Sequence, residues 1–226
     1  MSALPNHVAP ARLVAVATQE LVEHLDPVLA VETILTFAAA RIGTDSAAVH
    51  GIGISLVNLI FTATVAVGQA TIPLISDYAT KHDSVHIRRG IRAGTGLALV
   101  VVGLIAAAVI ALSPWVVPLF TQDVDVRPQI TDLLPLVPAV VVTDALQAVV
   151  GFGLIGLKRT VPSFLSTFIC YGSLAAVAAP VATAGGLAAL WTALALANLL
   201  QAVGKAYSFH RHSAFTENRE HAPAAT

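Results

Sequence analysis

Residues 136–158 read LVPAVVVTDALQAVVGFGLIGLK, an apolar run interrupted by one acid, Asp144, and closed by Lys158. As a helix this stretch measures roughly 33 Å at about 1.5 Å per residue, which is close to the hydrocarbon thickness of a bilayer. Asp144 stands about 14 residues before Lys158, or roughly 21 Å from that end, and so falls well inside the apolar layer. Composition decides between a membrane and a soluble core. The 226 residues are 56% hydrophobic and 11% charged, with a mean hydropathy of +0.80, whereas soluble domains carry charge on roughly a quarter of their residues. The run therefore reads as a membrane-spanning helix with a carboxylate stranded inside it.

Outward from this helix, the same reading places six spans at 14–41, 50–75, 91–112, 130–155, 161–182 and 185–207. The expected fold class is all-α, a polytopic six-helix membrane bundle over residues 14–208. A cytoplasmic N-terminal tail at 1–13 and a disordered cytoplasmic C-terminal tail at 209–226 flank it. Breakers mark the connections: Gly43-Thr44-Asp45, Lys81-His82-Asp83-Ser84, Ser113-Pro114 through Arg127-Pro128, Lys158-Arg159 and Gly185-Gly186. Of the 12 Lys and Arg residues, all but Arg41 and Arg127 fall on one side of such a bundle. Lys205, at the end of the 185–207 span, is counted among the cations of that side. The asymmetry predicts both termini in the cytoplasm and a multi-pass protein of the cell membrane. Residues 1–13 lack the pattern of a secretory signal.

The first span carries Glu20, Glu23, Asp26 and Glu32. Carboxylates at such depths normally face a protein interior or a wet cavity, or become protonated. A second reading makes 14–26 an interfacial segment, with Asp26 capping a shorter helix that begins at Pro27; Glu32 stays in the apolar stretch under either. On the helix of Asp144, Gln147 lies three residues on and shares its face. Asp144 is read as part of a cation or proton site, or alternatively as a protonated acid bonded to a neighbouring helix. Pro135 and Pro138 are expected to bend the chain before it, and Gly151, Gly153 and Gly156 to allow close helix approach. Cys170, the single cysteine, reads as a small buried hydrophobe. His24 is placed to pair with Glu20, His50 sits at a span end, and the histidines show no metal-ligand spacing. There is no phosphate-binding loop, and a net charge of -1 argues against a nucleic-acid partner. No nucleophile and base can be placed together, so the chain reads as a non-enzyme.

In order and spacing, these pieces resemble the C-terminal half of multidrug and toxic compound extrusion (MATE) transporters. The pieces are Arg41-Ile42-Gly43 with Ala47-Ala48-Val49-His50; Gly68-Gln69 leading to Pro73-Leu74-Ile75-Ser76; Pro118-Leu119-Phe120-Thr121-Gln122-Asp123; Asp144-Ala145-Leu146-Gln147 with Gly153 to Lys158; and Gly186 before Leu190-Trp191. The resemblance implies an antiporter that exports cationic or amphipathic compounds against sodium or proton entry, with no other cofactor, from two six-helix lobes around a central cavity. It implies that Asp144 matches an acid of the tenth family helix that contributes to cation coupling. The family glutamate of the seventh helix falls on Val28, with Glu32 and Asp26 as the available substitutes, and the arginine often found between Leu154 and Gly156 is Ile155. The candidate coupling or substrate residues are thus Asp144, Glu32, Asp26 and Gln147. Expected partners are membrane lipid, a small-molecule substrate, and either a second copy or another six-helix lobe. A lipid-linked saccharide flippase of the same superfamily and a non-transporting membrane subunit or remnant are the alternatives.

Overall fold

The computed structural model describes residues 27–123 and 126–218. Within them the chain forms α1 (Pro27–Ile42), α2 (Thr44–Thr80), α3 (Ser84–Ala111), the short α4 (Ser113–Phe120), α5 (Val126–Leu133), a 3-10 turn (Leu134–Leu136), α6 (Val137–Gly156) and α7 (Thr160–Asn218). Among the described residues, four helical stretches are long and apolar enough to cross a membrane: Thr44–Thr80, Ser84–Ala111, Val126–Gly156 and Thr160–Ser213. The last is too long for one crossing. At about 1.5 Å per residue it measures roughly 80 Å, and it folds back at Gly186, whose φ of 67° and ψ of -160° belong to a region open essentially to glycine alone. Tyr171 bonds Asn198 and Ser166 bonds the Gln201 carbonyl across the two arms. Partners that separate in number as they recede from Gly186 describe an antiparallel hairpin.

This is an all-α polytopic membrane bundle. Two expected spans, 161–182 and 185–207, fall on the arms of α7. The first, 14–41, meets the described residues only as the 16-residue α1; Glu20, Glu23, His24 and Asp26 lie outside them. Helix α7 also continues beyond residue 208, where a tail was expected, because Phe209 packs with Ile87 and Ile91 and Ser213 accepts a hydrogen bond from Arg88 Nε at 3.4 Å. The polar run 81–84 and Lys158-Arg159 turn at one end of the bundle, hereafter the basic end. Gly43, the α4 segment and Gly186 lie at the other.

Helix α6 is the central strut and touches α2, α3 and α7. Lipid is as apolar as the helices, so close packing rather than burial from water holds such a bundle together. Small residues supply that closeness. A Cβ at Gly156 would stand 3.0 Å from the Ile72 carbonyl oxygen of α2, and one at Gly53 would meet the Trp191 ring at 2.5 Å. Large apolar side chains such as Leu104, Trp115, Leu119 and Phe168 point outward, the distribution expected of a surface bathed in hydrocarbon. Pro135 breaks the helix as its sequence position predicts: it lacks the N–H that an α-turn needs, and the 3-10 turn at Leu134–Leu136 separates α5 from α6.

Candidate functional site

Two turns into α6, Asp144 turns inward toward α7. Its Oδ1 accepts a 2.7 Å hydrogen bond from Gln147 Nε2, the i to i+3 pairing that the sequence spacing predicts. Gln147 Oε1 in turn accepts a short hydrogen bond from Lys205 Nζ on the second arm of α7. Lys205 is 5% exposed and Gln147 8%. The result is a buried chain of carboxylate, amide and ammonium that ties α6 to α7. A lysine is a donor only and a carboxylate chiefly an acceptor, so the amide orientation that serves both is fixed by the network.

Asp144, Gln147 and Glu32 of α1 line one cavity of about 80 Å³, together with Asn58 of α2, Tyr171 and Asn198. The structure therefore brings together three of the four residues singled out from sequence, while Asp26 lies outside the described residues. A second cavity, of about 210 Å³, is lined by Lys205, Gln201, Ser163 and Thr167, and shares Gln147 and Tyr171 with the first. Gln147 thus stands between an acid-lined and a lysine-lined space. Tyr171 Oη donates to Asn198 Oδ1 at 2.8 Å. The amide of Gln201 is fully buried and completes no hydrogen bond.

The placement of Lys205 adds to the sequence reading, which counted it only among the cations of the cytoplasmic side. Its stem runs inward along α6 beside Gly151, where a Cβ would stand 3.6 Å from the ammonium, in ordinary van der Waals contact. A pattern did exist: Asn198, Gln201 and Lys205 recur at helical spacing and form one polar stripe on an apolar helix. Charged groups at the bilayer centre cost about 2.5–3.5 kcal/mol each on insertion scales, so they occur opposite one another and where function uses them.

Toward the opposite end, Trp191 Nε1 donates to His50 Nδ1 at 3.2 Å, with both side chains fully buried. Since an indole N–H only donates, Nδ1 is the accepting nitrogen and the imidazole carries its proton on Nε2. The pair lines none of the cavities above and locks α2 to α7. Among the described residues, no group of three or more His, Cys, Asp or Glu side chains is placed to hold a metal ion.

A cavity of about 80 Å³ admits a small ion with a water or two, since water takes about 30 Å³ each. It is far below the roughly 300–1,000 Å³ that enclose a drug-sized ligand. The site is built at the scale of an ion.

The sequence is similar to known proteins. A probable multidrug resistance protein NorM from Aromatoleum aromaticum (strain DSM 19018 / LMG 30748 / EbN1) is 28% identical over 143 residues, which are 63% of this chain and 31% of that protein. Its namesake from Xanthomonas axonopodis pv. citri (strain 306) is 31% identical over 133 residues, 58% of this chain and 29% of the relative. The chain thus matches about a third of the length of these relatives. No solved structure matches. The sequence profile of the MatE family covers residues 28–181, well over half of the 226 residues and inclusive of Glu32, Asp144 and Gln147; the chain belongs to the MatE family.

Proposed function

We propose that the chain is one lobe of a secondary efflux transporter, in which an ion and a cationic or amphipathic compound exchange at the acids of the α1–α6 cavity. The observation that carries this reading is the buried Asp144–Gln147–Lys205 chain facing a cavity that also holds Glu32. Ion-coupled antiport needs a buried group for which ion and substrate compete. Asp144 is that group, with Glu32 as its neighbour and Gln147 as the residue that orients it. The coupling ion is a proton or sodium, and no further cofactor takes part. The relatives' names, which speak of multidrug resistance, support the substrate class. In this reading the basic end faces the cytoplasm, where Lys81, Arg88, Arg89, Lys158 and Arg159 gather, and the protein resides in the cell membrane. It works as a transporter rather than an enzyme.

The drug-sized space comes from pairing, because the acid cavity of this lobe is ion-sized. A second copy or another six-helix lobe supplies the opposite wall. Displacement tests the reading. A cationic dye bound to the reconstituted chain is released as the coupling ion is raised, and Asp144→Asn removes that release by at least about tenfold in ion concentration, equivalent to about 1.4 kcal/mol. Unchanged displacement in the variant contradicts the assignment. A lysine beside a cavity also favours a flippase for phosphate-bearing lipid-linked saccharides; saturable binding of such a lipid, with none of the dye, selects that function instead.

A further inference from the structure

We propose that the ammonium of Lys205 is the resident counter-cation of Asp144, so that this carboxylate is balanced without a metal cation and the lobe does not take up sodium. The proposal rests on the reading of Asp144 as the ion site and deepens it by naming the ion that is excluded.

Four observations carry it. Lys205 is 5% exposed although it lies only a few turns from the basic end, where a lysine stem ordinarily extends toward water. Its ammonium turns inward and donates to Gln147 Oε1, while the other end of that amide donates to Asp144 at 2.7 Å. The amide therefore presents its negative end to the cation and its positive end to the carboxylate, and it transmits the attraction between them. The stem packs closely against α6: a Cβ at Gly151 would stand 3.6 Å from the ammonium and 3.7 Å from Lys205 Cδ.

The charged and titratable groups around this ammonium come from each packed element. Asp144 faces it from α6 and Cys170 from the first arm of α7, each within electrostatic range. Glu32 of α1 and Tyr171 of α7 stand around Asp144. A lysine so placed repels a second monovalent cation and occupies the amide carbonyl that such an ion would need. Sodium is held by several oxygens at once, and here the Gln147 oxygen is already taken. A site balanced in this way exchanges its charge when a proton moves or when a cationic substrate displaces the lysine.

The test uses the full chain in detergent or nanodiscs. Thermal stability is recorded in sodium chloride and in choline chloride at equal ionic strength, for the wild type, Lys205→Met and Lys205→Met/Asp144→Asn. The wild type is expected to show no saturable sodium effect. Lys205→Met, which keeps the apolar stem and removes the charge, is expected to gain a saturable rise of roughly 5–10 °C at about a hundredfold excess over the dissociation constant, and the double variant to lose it. Saturable stabilisation of the wild type by sodium overturns the proposal by itself, whether or not the variant folds. A folded Lys205→Met that gains nothing also overturns it. If Lys205→Met does not fold, absence of a sodium effect on the wild type, confirmed by absence of sodium-23 line broadening on titration, supports it. Because these readouts report binding rather than transport, failure here leaves Asp144 as the coupling acid, and failure of Asp144→Asn to alter displacement leaves the sodium result standing.

Discussion

Gln147 holds the site together. Its side chain bonds both Asp144 and Lys205, and replacing it by the similarly sized, apolar Leu strands both charged groups. Leaving a buried charge without its partner is among the more expensive single changes available to a protein. Gln147→Leu is expected to destabilise the chain by about 3 kcal/mol, whereas Tyr171→Phe, which removes one neutral bond to Asn198, costs about 1 kcal/mol; denaturation in mixed detergent measures both, and equal effects contradict the network. Asp144, Gln147 and Glu32 were legible in the sequence because a polar side chain in an apolar run has few bland explanations. Lys205 was not, because a lysine near a span end satisfies the rule that cations collect on one face. Only the direction of its side chain distinguishes a snorkelling lysine from an inward one, and here that direction goes with its bond to Gln147 of a different helix.

Among the elements, the boundaries at the basic end are written in capping chemistry. Asp83 precedes α3, and its Oδ1 accepts from the His86 N–H at 3.0 Å while Oδ2 meets His86 Nδ1 at 2.6 Å. The His86 backbone N–H, foremost, and the His86 ring hold the Asp83 carboxyl below its usual range. A depressed acid contributes stability that is present above its unfolded value of 3.8 and is lost as pH falls through the lower folded value. Asp83→Ala is therefore expected to lower the melting temperature at neutral pH, with the gap to the wild type closing in strong acid; a gap independent of pH contradicts the carboxylate cap. Helices α2, α3, α5–α6 and the arms of α7 contain or overlap the spans expected from 50 onward, with several ends displaced by five residues or more, since an apolar run flanked by polar turns leaves little choice in a bilayer. The α4 helix was not legible in the sequence. Its residues, SPWVVPLF, carry two prolines and read as a connection, yet Pro114 stands in its first turn, where a missing N–H costs nothing. The hairpin of α7 was read correctly as two spans because Gly185-Gly186 separates them, and Gly186 alone takes the positive φ that the reversal requires.

For the whole molecule, the charged chain joins α6 to the second arm of α7, and α1 and the first arm of α7 complete the lining of the cavity. Family membership was legible as a scatter of short motifs held in order, and the profile match over residues 28–181 bears it out. The face that would meet the proposed second lobe is not marked in the sequence, because hydrophobicity does not separate lipid contact from lobe contact. The most direct measurement is gradient-driven efflux of a cationic dye from vesicles containing the reconstituted lobe pair. Wild type is expected to extrude dye when the ion gradient is imposed, and Asp144→Asn to retain dye binding while gradient-driven efflux falls to at most about a hundredth, a loss of roughly 2.7 kcal/mol of coupling; efflux by a folded Asp144→Asn at the wild-type rate contradicts the account.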